Sequence, residues 1–170
     1  MAKRLFHATS WTPTATADTT NLANGTYMAL QGGSATQLVN VLEVLIDGQA
    51  TTSAPTFLQL ARDSTVMATP TALAAPNGDG PMHPSTAALA APAVSAVSAG
   101  TNPQRSAATS QGRLELGLNA FGGIMKWNPY TPDMAISVLG NTASLGELSL
   151  SAFTGGTVGA VSAHIVYELL

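Results

Sequence analysis

Charge is what this chain has least of. Asp, Glu, Lys and Arg make up 9% of its 170 residues, against roughly 25% in an average soluble domain. The six basic residues, Lys3, Arg4, Arg62, Arg105, Arg113 and Lys126, lie scattered, and the formal net charge is −3. No run of them can neutralise a series of phosphates, which argues against a nucleic-acid partner. Cysteine is absent, and that excludes disulfides, thiol catalysis and thiolate-held metal. No apolar run approaches the ~20 residues of a membrane-spanning helix, so no membrane partner is expected. The opening MAKRLFHATSW lacks the apolar stretch of a secretory leader, and synthesis in the cytoplasm without export is the expectation.

Ala, Thr, Ser and Gly fill the space that charge leaves. Disorder goes with high net charge and few apolar residues, whereas 45% of this chain is hydrophobic. A weakly charged Thr/Ser surface suits a molecule packed among neighbours, because net charge is what keeps free proteins apart. Residues 1–24 are Thr-rich without helical periodicity and read as an extended N-terminal arm, with Phe6 and Trp11 as its anchors. From Gly25 a domain is expected to run to residue 170. TYMALQG, QLVNVLEVLIDGQ and TFLQLARDS are strand candidates, the second closed by an Asp47-Gly48 turn. In the third, Phe57, Gln59 and Ala61 alternate with Leu58, Leu60 and Arg62. A further short strand is expected at 65–69.

Residues 70–110 break this pattern. Pro70, Pro76, Pro81, Pro84, Pro92 and Pro103 interrupt an Ala/Ser/Gly-rich stretch too often for a long helix. A short helix after Pro84, with Ser85 or Thr86 as its N-cap and running to Ala91, fits there. The rest reads as a long surface loop suited to a partner, with Met82 and His83 near its middle.

Strands resume at 111. In GRLELGLNAF, Leu114, Leu116 and Leu118 oppose Arg113, Glu115, Gly117 and Asn119, the pattern of a strand with one wet face. GGIMKWNPY, DMAISVLGN, ASLGELSLSAF and AVSAHIVYELL follow, separated by turn signals about every ten residues. Gly-Gly pairs at 32–33, 122–123 and 155–156 read as hairpin turns. This spacing predicts an all-β fold: a jelly-roll-like sandwich of about eight strands in two four-stranded sheets.

Little here points to chemistry. His7, His83 and His164 are far apart and no pair has metal-ligand spacing, so the clustered ligands of a metal-binding jelly roll are not expected. Asp79 is alone in PNGDGPMH, too few oxygens for calcium. No Gly-Lys-Ser/Thr loop or Gly-x-Ser-x-Gly elbow occurs. Glu43, Glu115, Glu147 and Glu168 fall on strands, where spacing alone does not reveal a carboxylate pair. Trp127, Asn128, Pro129 and Tyr130 form the most distinctive patch, suited to an aromatic plug, a protein contact or a sugar platform.

The segments RLELGLNAFGGIMKWNPY and ISVLGNTASLGELSLSAFTGGTVGAVSAHIVYEL, within residues 111–170, resemble the C-terminal half of small structural proteins of tailed-phage virions. These are the cement or decoration proteins. The likeness lies in uncharged alternating strands, Gly-Gly turns and the HIVYE ending. It implies a non-enzymatic homotrimer, without cofactor or metal, on the exterior of the virion's head. Its partner would be the major capsid protein, and its work the clamping of neighbouring shell subunits. Position alone nominates Phe6, Trp11, Met82, His83, Trp127 and Tyr130 as shell or subunit contacts. The alternatives are a carbohydrate-binding jelly-roll module centred on Trp127 and Tyr130, and the head of a spike or fibre.

Overall fold

The computed structural model describes residues 4–10, 23–32, 34–63, 71–72, 94–96, 111–140, 145–153 and 160–170. They form eleven strands: β1 (Arg4–Ser10), β2 (Ala23–Gln31), β3 (Leu38–Gln49), β4 (Pro55–Arg62), β5 (Thr71–Ala72), β6 (Val94–Ala96), β7 (Gln111–Asn119), β8 (Phe121–Trp127), β9 (Ile136–Leu139), β10 (Glu147–Phe153) and β11 (Val161–Leu169). One sheet runs β1-β11-β3-β8, with β9 also beside β3; the other runs β5-β6-β2-β10-β4-β7.

The pairings are nested. β1 pairs β11, β2 pairs β10, β3 pairs β8 and β4 pairs β7, all antiparallel. Such nesting is one long four-ply hairpin. Rolling it brings β11 against β3 and β10 against β4, which divides the plies between two facing sheets. This is the jelly roll, all-β as the turn spacing predicts. The eight nested strands are its two four-stranded sheets, and β5, β6 and β9 are additions at the edges. β11, so poor in charge, is flanked by β1 and β3 and offers no free edge.

Alternation decides which side chains enter the core. Val39, Val41, Val44 and Ile46 of β3 face Met28 and Leu30 of β2, Leu58 and Leu60 of β4, and Leu148 and Leu150 of β10 in one buried cluster. β10 is buried on its other face too, at Glu147, Ser149 and Ser151, and the two serine hydroxyls lie 3.2 Å apart. The irregular start of β10 has a physical cause. Leu145 takes a left-handed φ of 59°, rare for a residue with a Cβ, and its N–H donates to Asp63 O at 2.9 Å. At that end of the sandwich Arg62 Nε reaches across to Ser137 O at 2.7 Å, joining β4 to β9 of the opposite sheet.

Three expectations need correction. Residues 4–10 are not part of a free arm: β1 lies in the sheet, and Phe6 is a core residue rather than a surface contact. It is 3% exposed, and its ring stacks on Tyr167 with centroids 5.7 Å apart. Apolar burial outweighs any outward role there. The Gly122-Gly123 pair is inside β8 rather than at a hairpin turn, because β7 and β8 belong to different sheets and the chain changes sheet at Ala120. Part of the 70–110 stretch is also ordered as strand, since β6 pairs both β2 and β5. Residues 11–22, the strand expected at 65–69, the helix expected after Pro84 and the Gly-Gly pair at 155–156 lie outside the described residues.

Tyr167 carries a prediction. Its side chain is fully buried, and its hydroxyl has no hydrogen-bond partner among the described residues. Burial pushes its pKa up from the ordinary value of 10.0. A buried polar group left unpaired costs about 1–3 kcal/mol. Tyr167→Phe is therefore expected to be as stable as the native protein or more so, by up to about 1 kcal/mol in urea unfolding. A clear loss of stability would show that the hydroxyl has a partner after all.

Candidate functional site

The most unusual surface begins with the length of β3. Its twelve residues outrun any one neighbour. β8 pairs with Val44–Gln49 and β9 with Leu38–Val41, so the edge is shared between two short strands. Opposite the gap, the β3–β11 register slips between Glu43 and Val41, leaving Leu42 as an extra residue. Such a bulge bends a strand and interrupts its pairing. The chain leaves the sheet here after Trp127 and returns at Ile136.

The excursion is built by its prolines. Pro129 and Pro132 fix φ and remove backbone donors, which ends the ladder. Pro132–Met134 form a single 3-10 turn, with Met134 N–H bonded to Thr131 O at 3.0 Å. The turn buries no side chain. Tyr130 is 93% exposed, and Met134, Ile124, Leu139 and Phe121 are also largely exposed. These five residues are spread along β8, the loop and β9, from Phe121 at the Gln49 end of β3 to Leu139 at its Leu38 end.

The aromatic patch divides at this point. Trp127 pairs with Val44 and, partly buried, packs against the core with Met125. Tyr130 stands in solvent. The Asn128-Pro129 break separates the two rings, Trp127 partly buried on β8 and Tyr130 exposed on the loop. Phe6 is in the core, and Trp11, Met82 and His83 lie outside the described residues. The exposed set Phe121, Ile124, Met134 and Leu139 escaped the sequence reading. For Met134 the signal is the proline-bracketed PYTPDM, which places an apolar side chain where no strand can bury it.

A second cluster lies on the outer face of the first sheet. β1 and β11 pair Thr9 with His164 and His7 with Val166. This sets the His7 and His164 rings 5.5 Å apart. Thr9 Oγ1 lies 2.7 Å from His164 Nδ1. Burial first, then the facing His7, hold the His164 imidazole below its ordinary value, with Glu43 pulling the other way. Glu43 is itself bonded by Lys126 Nζ at 2.9 Å. Further along, Ser137 Oγ donates to Asn40 Oδ1 at 2.6 Å, and Asn40 Nδ2 donates to Glu168 Oε1 at 3.1 Å. The four strand glutamates divide between the sheets, Glu43 and Glu168 on one, Glu115 and Glu147 on the other. Among the described residues no three His, Asp or Glu side chains gather as metal ligands.

No known family model matches the chain, and no curated protein or solved structure is similar enough to count as a relative. The fold and the two surfaces above are therefore the basis for a functional reading.

Proposed function

We propose that this protein is a virion structural protein of the cement or decoration type, which binds the outside of a phage head as a homotrimer and holds shell subunits together. The observation that carries the reading is the exposure of Tyr130 and Met134 on the loop between β8 and β9, with Phe121, Ile124 and Leu139 exposed on the two flanking strands. Large apolar side chains held in solvent on a protruding loop are suited to association, and tyrosine is among the side chains that dominate protein contacts. The low charge supports it, since a shell-bound protein does not rely on repulsion from its own copies. The jelly roll is compatible, being common in capsid proteins, though lectins use it too. Many weak sites on one lattice add up through multivalency, and binding confined to the assembled shell stabilises that shell by mass action.

The test is a double substitution, Tyr130→Lys with Met134→Lys. Both side chains are exposed in the chain, so the fold should be retained, as circular dichroism would show. Mass measured by light scattering across a dilution series should fall from trimer to monomer. Sedimentation with phage heads of its own source should weaken roughly 30-fold or more, the effect of losing a contact worth about 2 kcal/mol. A native protein that stays monomeric and does not sediment with heads defeats the proposal.

A further inference from the structure

We propose that His7 and His164 form an acid-sensitive latch: neutral, they let β1 lie against β11, and when both are protonated they loosen it. The inference is independent of the role in a shell.

β1 is the outermost strand of its sheet, and among the described residues β11 is its only ladder partner. Two kinds of contact hold it. On the core side Phe6 and Ala8 are buried. On the outer side His7 and Thr9 lie against Val166 and His164. The two imidazoles are diagonal neighbours with centroids 5.5 Å apart and planes tilted by 31°. Uncharged rings can share this spacing. Two imidazolium rings repel there, on a partly buried surface that screens them less than water does.

The surrounding charges leave that repulsion standing. From β3 the carboxylate near His164 is Glu43, which is already bonded to Lys126 of β8 at 2.9 Å. A cation next to Glu43 offsets the help it gives a protonated ring. On β11 itself the next carboxylate on the outer face is Glu168, bonded by Asn40 Nδ2 at 3.1 Å and directly opposite Leu5 rather than either histidine. On β3, Asp47 lies opposite Ser162, one outward position beyond His164. β1 sets His7 itself, a potential cation, opposite the ring. Thr9 Oγ1 bonds His164 Nδ1 at 2.7 Å and fixes the ring in this position.

The sign follows from linkage. A histidine whose folded pKa is depressed binds its proton more readily in the open or unfolded chain. Stability is therefore undiminished above the ordinary value of 6.5. It falls as the pH drops below that value, until the pH passes the depressed folded value. The loss should concentrate on β1, because its opening separates the rings while leaving β11 paired to β3.

Hydrogen exchange on the full chain tests this at pH 7.5 and 5.0, corrected for intrinsic exchange. Protection of Leu5–Ser10 should fall at the lower pH while that of Leu38–Gln49 holds steady. In His7→Gln the acid-induced loss should vanish. The paired readout is the NMR titration of His164, whose midpoint should rise when His7 is replaced. Unchanged β1 protection between the two pH values, or equal loss in His7→Gln, overturns the latch. So does a His164 midpoint indifferent to His7.

Discussion

Replacing Gly48 with valine is expected to cost about 3 kcal/mol of stability, at the upper end of what overpacking does. Gly48 is on β3 where the chain of β7 crosses over to β8. A Cβ built on it would meet Ala120 O at 2.3 Å and Ala120 C at 2.5 Å. Both are backbone atoms, which cannot rotate aside as a side chain can. The crossing is also tied down. Ala50 N–H donates to Ala120 O at 2.8 Å, and Ala120 N–H donates to Ala54 O at 2.8 Å. Asn119 Oδ1 accepts from the N–H groups of Ala54 and Phe121, each at 3.0 Å, while its Nδ2 donates to Ser53 Oγ at 2.9 Å. Relief of the clash would break part of this set. The melting temperature should drop by roughly 6–12 °C, given about 2–4 °C per kcal/mol in a protein of this size. Gly117→Ala is the control, since its nearest neighbours are Phe57 ring atoms at 3.4 Å and ordinary contact suffices. If the two variants melt alike, the close approach at Ala120 is not a constraint.

The second large effect is expected at Phe6. Phe6→Ala should lose about 3–5 kcal/mol, as buried phenylalanines do, because the ring is in the core and stacked on Tyr167. Tyr130→Ala, with a ring almost wholly in solvent, should change stability by no more than about 0.5 kcal/mol. Urea unfolding separates the two outcomes. A Phe6→Ala protein as stable as the native one would mean that β1 adds nothing to the sandwich.

The contrast also marks what could be read from residues alone. β7 alternates apolar and polar side chains, and its leucine face is the one that meets the core; turn spacing led to the jelly roll. β1 was hidden because RLFHATS has only Phe6 and Ala8 facing the core, too few to stand out from a Thr-rich stretch. The histidine pair was invisible for a different reason. Its partner strands are joined only by a pairing across 155 residues, as Thr9 and His164 are, and spacing along a chain carries no record of such register. Gly122-Gly123 misled because a Gly-Gly pair serves a hairpin or a crowded crossing equally well. Here a Cβ on Gly123 would meet Asn119 O at 2.3 Å, so close packing and not reversal requires it. Tyr130 stood out in the sequence, yet whether it would plug the core with Trp127 or leave it depended on where β8 ends.

The nested pairing has a consequence for how the protein is made. β11 is the only described strand bridging β1 and β3. A ribosome that has delivered β1 must add some hundred and fifty residues before that strand has anything to pair with. Closing such long loops before their contacts form makes β sandwiches slow to fold. Until β11 emerges, β3 offers its unpaired edge to whatever strand is near, including those of sister chains on the same message. The interval between the synthesis of β3 and that of β11 is when this protein is most exposed to aggregation, and slowing translation across it should lower the yield of folded chains.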